Sequence, residues 1–342
     1  MARQVTVSLG LEEEVKSLRP PLGRRLLNLA RQHPLGLFGL FTVALLLFAA
    51  VFADLIVPYD PQAIDRDALL AGPSSSHLFG TDRLGRDVLS RTIFGARISL
   101  FIGLVSVILG VTVGAAMGII SGYLGRFVDS VIQRSVDILL AFPAIVLVLA
   151  VVTIIGDEDS AVRLFLADNT PLPEDSFIGI PFFLDIFIIS IAIGVGVVVG
   201  TARIVRGAVL SLKENVYVEA ARALGASDVR IMWHHIFPNV AALVVILASI
   251  ILPIAILTEA AISFLGIGVP VPTPSWGADL TGPNRATAQS GAWWPVFFPG
   301  LALSLVVLGF NMLGDAFRDI SDPRLRGSLG SGSGGGSSTG GI

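Results

Sequence analysis

Catalysis needs nucleophiles, bases or metal ligands at set spacings, and this 342-residue chain offers few of them. It contains no Cys, which removes disulfides, thiolate zinc sites, iron-sulfur clusters and a Cys nucleophile. Its only lysines, Lys16 and Lys213, do not follow a glycine, so the phosphate-cradling G-x-x-x-x-G-K-[ST] loop is absent. His234 and His235 are adjacent and cannot form the i, i+4 pair of a helical zinc site, and His33 and His77 lie far off in the chain. No Gly-x-Ser-x-Gly elbow falls between a strand and a helix. The chain is therefore expected to do no chemistry itself and to hold no metal or cofactor.

The elements that position the remaining polar groups are apolar. Hydrophobic residues make up 53% of the chain and charged residues 14%, and the mean hydropathy is +0.80. Soluble domains carry about 25% charge, which argues strongly against a soluble enzyme. A net charge of -3 argues against nucleic acid as a partner and leaves membrane lipid as the solvent. A spanning helix needs about 20 apolar residues. Six stretches qualify, near Leu35 to Val57, Ser99 to Ser121, Val131 to Ile155, Leu184 to Ile204, Val240 to Leu265 and Val296 to Leu313. The first follows Arg24, Arg25 and Arg31 as a signal peptide does, but it is too long and too far along the chain, and it is expected to be retained. The fold expected is an all-α integral membrane protein with six transmembrane helices.

Six spans place both termini on one side. If that side is the cytoplasm (N-in, C-in), 16 of the 23 Lys and Arg lie inside, as the positive-inside rule requires. The first outer loop is the weak point, since it holds Arg66, Arg83, Arg86, Arg91 and Arg97. An equal number of acids, Asp60, Asp65, Asp67, Asp82 and Asp87, points to an internally paired segment. Two acids fall within spans. Glu259 lies 19 residues past Val240, about 29 Å along a helix, which puts it near the outer interface. Asp137 lies near the inner side, in reach of water or of Arg134. Both are expected to be satisfied structural groups, and a proton relay lacks its central carboxylates.

Gly110, Gly114, Gly118 and Gly122 in the second span recur every fourth residue, which aligns them on one helix face where another backbone can approach. Such a stripe serves as a fixed packing seam or as a sliding surface. Gly196 and Gly200 repeat the pattern once in the fourth span.

Between the fourth and fifth spans, residues 211–239 read SLKENVYVEAARALGASDVRIMWHHIFPN. Val216, Val218, Ala221 and Leu224 form an apolar face, Gly225 offers a helix C-cap, and Ser227 or Asp228 offers a new N-cap. The pattern predicts two short helices joined by a bend at the membrane surface, with Pro238 at the entrance to the fifth span.

Glu219, Ala220, Ala221, Gly225, Ile236 and Pro238 match the E-A-A, G, I-x-P signature, and here the chain resembles the permease subunits of ATP-binding-cassette importers. Further segments resemble the "C"-type dipeptide, oligopeptide and nickel permeases: HLFGTDRLGRDVLSR (77–91), AFP (141–143), EAAISFLGIGVPVPTPSW (259–276, with Gly277) and GDAFRDISDPRLR (314–326). The resemblance implies a type I importer permease domain over 35–326, preceded by a cytoplasmic segment 1–34. It implies half of a translocation pathway for di- or oligopeptides in a prokaryotic inner membrane. Its implied partners are a homologous "B"-type permease, cytoplasmic ATPase subunits that bind the ATP and Mg, and an extracytoplasmic substrate-binding protein. The loop 211–239 would receive ATPase closure as a rigid-body push, with Gly225 allowing the turn and Glu219 hydrogen bonding the loop or partner.

The acidic outer stretch 156–183 is longer than the branch pattern, and the Gly/Ser tail 327–342 matches nothing in it. An importer of nickel or another small solute is the alternative, although the spans contain no His to favour a metal route. An ion-coupled secondary transporter would require midplane carboxylates or broken helices.

Overall fold

The computed structural model describes residues 34–157, 159–161, 163–165, 180–289 and 291–321. The expectations for 1–33, for most of the 156–183 insertion, for the end of the last motif and for the tail lie outside the described residues.

Apolar runs become helices because hydrocarbon offers the backbone no partner but itself. Helix α1 (Pro34–Val51) and the short α2 (Ala53–Ile56) lead to an outer segment with one 3₁₀ turn at Arg66–Ala68. α3 follows over Val88–Leu124. At 37 residues it is about 56 Å long, well beyond the ~30 Å hydrocarbon core. Its boundaries are set by side chains. The Asp87 carboxylate accepts from Ser90 N at 2.8 Å at the start, and Gly125, at φ 62°, closes the end. Ile180–Leu212 forms α6, and Trp294–Ser321 forms the last helix, α12.

The third apolar run does not form the continuous span expected from Val131 to Ile155. It is two helices, α4 (Arg126–Leu140) and α5 (Ala144–Gly156), bent by 95°. Pro143 lacks an N–H and disfavours helical geometry in the residue before it, so the helix stops at Leu140 and restarts beyond the proline. α5 alone, with 13 residues, reaches about 20 Å, short of the hydrocarbon thickness. By length and composition the described residues therefore hold five spanning helices, or six if the bent pair is one span. No strand forms among them beyond one isolated bridge between Thr81 and Asp87.

The loop between the fourth and fifth spans also departs from expectation. α7 (Val216–Ala223) and α8 (Asp228–Ile231) are the two short helices. α8 does not stop at the membrane. It continues through a π-helical turn, Met232–Ile236, into α9 (Phe237–Phe264) as one 37-residue element. The π turn and Pro238 fall together because a proline N cannot close the regular i, i-4 ladder. After α9 come α10 (Trp276–Asp279) and α11 (Gly282–Gln289) on the outer side.

α3 and α6 form the central pair. A Cβ placed on Gly110 would lie 2.5 Å from Val197 Cβ, and one on Gly114 would lie 2.8 Å from Thr201 Cβ. On Gly118 and Gly122 it would lie 2.7 Å from the Ala202 carbonyl and 2.9 Å from Val209 Cβ. Four consecutive turns of α3 thus touch α6 at distances only glycine permits, which maximises dispersion contacts where lipid supplies no hydrophobic drive. Gly196 and Gly200 make no second seam: a Cβ on Gly196 would meet only Val148, at 3.9 Å, and Gly200 has open space. A smaller seam joins α1 to α12, where a Cβ on Gly39 would stand 2.6 Å from the Gly309 carbonyl.

Candidate functional site

At the inner end, α7 presents one face to the bundle and the other to solvent. Val218, Ile231 and Ile236 are fully buried and pack with Ile119, Tyr123, Val205 and Val240. Ile236, part of the signature, is thus a core anchor. Ala221 is half-buried, whereas Glu219, Ala220, Gly225 and Pro238 are exposed. Gly225 has φ 83°. Its neighbour Ala226 donates N–H to the Ala221 carbonyl at 3.1 Å, a bond that closes the helix end and requires a left-handed residue between. Ser227 occupies the N-cap position of α8 without a side-chain cap bond. Asp228 instead accepts from the Tyr123 hydroxyl at 2.8 Å.

That tyrosine, at the end of α3, ties the loop to the long helix. The Arg222 guanidinium lies over its ring at 5.8 Å and reaches its hydroxyl at 3.4 Å. The Tyr123 oxygen, with Asp228 and Glu219 nearby, holds Arg222 further toward its charged form. Lys213 Nζ donates to the Gly122 carbonyl at 3.1 Å, on the last glycine of the seam. The Glu219 side chain is exposed, with the Arg222 guanidinium near enough to feel its charge.

The α4 helix is clamped beside this region. Asp129 accepts from Arg206 Nε at 2.6 Å and from Ser121 Oγ at 2.5 Å, and Gln133 Nε2 donates to Ser121 Oγ at 2.9 Å. Asp137 pairs with Arg203 of α6, not with Arg134. Residues 129, 133 and 137 share a helix face, and that face turns toward the basic end of α6.

The outer end holds a buried polar cluster. Glu259 is fully buried and accepts from Ser99 Oγ at 2.7 Å and Ser263 Oγ at 2.9 Å. Arg91 Nε donates to Asp279 at 2.9 Å, and Arg91 Nη1 donates to the Pro61 and Pro272 carbonyls at 3.2 Å. Burial raises the Asp279 carboxyl above its ordinary range by more than the Arg91 guanidinium lowers it. Its Oδ2 is buried without a hydrogen-bond partner. Trp276 Nε1 donates to the Thr92 carbonyl at 2.9 Å. His77 Nδ1 lies 3.0 Å from Asp87, and Arg86 Nη2 lies 2.7 Å from Asp82.

The 77–91 and 259–277 segments therefore meet in space and explain each other. Gly85, at φ 79°, lies where a Cβ would overlap the Asp65 carbonyl, and a Cβ on Gly277 would overlap Ala260. The outer loop is paired internally only in part, through Asp82–Arg86 and His77–Asp87. Arg91 and Arg97 reach instead to Asp279 and Asp54 in other segments. Sequence reasoning missed Asp279, Arg203 and Asp185, the last of which pairs with Arg163 at 2.7 Å. The signal available for Asp185 was an acid at the first turn of an apolar span.

These features define a multi-pass helical membrane protein with a backbone-tight central helix pair and a short helix held against its inner end. Residues 114–327 match the family described as binding-protein-dependent transport system inner membrane component, and residues 24–73 match the N-terminal TM domain of oligopeptide transport permease C. The chain is 37% identical over 296 residues to a dipeptide transport system permease protein of Alkalihalophilus pseudofirmus, covering 86% of this chain and 88% of that protein. It is 39% identical over 313 residues to a glutathione transport system permease protein of Pectobacterium atrosepticum, covering 91% and 94%. The corresponding glutathione permease of Escherichia coli is 38% identical over 299 residues, covering 87% and 88%. The chain belongs to this family of ATP-binding-cassette importer permeases, in the dipeptide and oligopeptide "C" branch, and has its type I fold.

Proposed function

We propose that the chain forms one half of the translocation pathway of an ATP-driven importer of short peptides. It sits in a prokaryotic inner membrane with both termini in the cytoplasm, beside a homologous "B"-type permease. Cytoplasmic ATPase subunits bind the ATP and Mg, and an extracytoplasmic binding protein delivers the peptide. The relatives named for dipeptide and glutathione transport support a short peptide as cargo.

The observation that carries the coupling role is the division of α7. Val218 is fully buried in the bundle, while Val216 at the start of the helix and Leu224, which caps its end, are 80% and 88% exposed. An apolar surface beside the exposed Glu219 suits a protein partner better than water. Movement of that partner passes through Val218, Tyr123 and Asp228 into α3, and along the glycine seam into α6. ATP binding would then favour one facing state by differential affinity.

The chain has no native Cys, so Leu224→Cys gives a single attachment point. With a matching Cys on the ATPase, disulfide formation that changes between nucleotide-free and ATP-bound complex is expected. No cross-link in either state, with the complex intact, refutes docking at α7.

A further inference from the structure

On the outer side a cavity of 460 Å³ opens between α3, the start of α6 and the loop after α9, with Phe94, Phe101, Phe183 and Ile186 on its walls. A second cavity of 530 Å³ lies against α5 and the turn at 266–268. Asp185 and Pro270 line both. Asp185 is thus an acid at the junction of an apolar space and a more polar one, in the first turn of an apolar span. Pockets of about 300–1,000 Å³ suit small organic ligands, so each space has room for a di- or tripeptide and not for a folded chain.

The chemistry of the wall selects the ligand's charge. Arg163 Nη1 donates to Asp185 Oδ1 at 2.7 Å and to the Gly156 carbonyl at 3.1 Å, with the two side chains 17% and 27% exposed. A carboxylate accepts at about four lone-pair sites, so one donor leaves most of Asp185 open. Arg97, the cation on the first cavity, is by contrast committed. Its Nε donates to the Ala50 carbonyl at 2.8 Å, its Nη1 to Asp54 at 3.3 Å, and its Nη2 to Asp54 at 2.9 Å and the Val51 carbonyl at 3.3 Å.

We propose that Asp185 binds the protonated amino terminus of a short peptide in transit, with the peptide's first side chain in the aromatic-walled cavity. The proposal rests on the peptide-importer reading. The ammonium donates to the carboxylate oxygen that Arg163 leaves free, and the phenyl walls of Phe94, Phe101 and Phe183 take the apolar part.

The test uses the complete transporter in proteoliposomes at saturating dipeptide-loaded binding protein, so that the binding protein's own affinity drops out. Asp185→Asn is expected to cut maximal uptake of a labelled dipeptide about tenfold or more, the weight of one charge-assisted hydrogen bond. Asp185→Glu restores part of it. Arg163→Ala, which removes the ion pair but leaves the acid, is expected to lose less uptake than Asp185→Asn, because the acid that holds the ammonium remains. Equal losses in Asp185→Asn and Arg163→Ala would mark a purely structural ion pair and overturn the proposal, as would wild-type uptake in Asp185→Asn. Should Asp185→Asn fail to assemble, Asp185→Ser combined with Arg163→Ala decides, since no charge is then left without its partner: uptake equal to that of Arg163→Ala alone overturns the site, and uptake well below it supports the site. Wild-type complex that takes up no peptide with ATP refutes the peptide reading and this site together, whereas peptide uptake indifferent to Asp185→Asn refutes the site alone.

Discussion

Alanine at Gly118 tests the α3–α6 seam where it is closed mainly by backbone. Its Cβ would stand 2.7 Å from the Ala202 carbonyl, 2.8 Å from Val205 Cβ and 2.9 Å from Arg206 N. Ordinary contacts begin near 3.4 Å, so α6 must retreat by several tenths of an ångström, and two of the three obstacles are backbone that no rotamer change can move. One methyl forced into a tight seam costs about 1–3 kcal/mol. Gly110 meets a comparable wall, with Val197 Cβ at 2.5 Å and the Gly194 carbonyl at 2.7 Å. It lies eight residues away, about 12 Å along the helix, so the two costs should add. The double variant is then expected to lose about 2–6 kcal/mol, by summing the single-site overpacking cost. The assay is SDS-titration unfolding of the purified complex, with Gly200→Ala and Gly207→Ala as controls on the partner helix. A Cβ at either control position meets nothing within 4 Å, so both should be neutral or slightly stabilising through helix propensity. Gly118→Ala unfolding at the wild-type midpoint, or indistinguishably from the controls, would refute the close-packed seam.

Three further outcomes can be checked. Asp279→Leu leaves Arg91 buried without its counter-charge and is expected to destabilise by about 3–5 kcal/mol in the same titration; adding Arg91→Met should recover most of that loss. Leu224→Asp, at an exposed position, should leave the unfolding midpoint within about 0.5 kcal/mol while sharply lowering ATP-driven uptake, measured in proteoliposomes. Gly225→Val places a β-branched residue at φ 83°, which costs about 1–2 kcal/mol locally; uptake should fall further than ATP hydrolysis, as uptake and phosphate release measured on one preparation would show.

Much of the architecture was legible because lipid imposes length and polarity on each span. The glycine stripe was legible because helical period fixes which residues share a face, whereas the 211–239 loop stood out only through its resemblance to the importer-permease signature. The break in the third run was not, although Pro143 was in plain view: hydropathy averaged over 20 residues stays high across a bend that one missing N–H creates. The continuity of α8 into α9 was hidden for the opposite reason. Pro238 reads as a helix start, yet a π turn carries the helix through it. Ion-pair partners were the least legible feature. Arg91 and Asp279 are 188 residues apart, and equal numbers of acids and bases in the outer loop suggested local pairing that only Asp82–Arg86 and His77–Asp87 fulfil. Asp137 found Arg203 rather than Arg134, because α6 lies against the polar face of α4 and sequence proximity does not decide which cation is nearest. Asp185 escaped notice because it lies at the edge of an apolar run, where a charge looks like a boundary rather than a site.

The central claim is that transport through this chain is driven by a partner's ATP hydrolysis. The most direct test is uptake of a labelled dipeptide into proteoliposomes holding the complete transporter with its binding protein, with ATP or an ion gradient as the sole energy source. Uptake is expected with ATP and abolished when the ATPase subunits are left out. Gradient-driven uptake by the permease pair without the ATPase would contradict the claim.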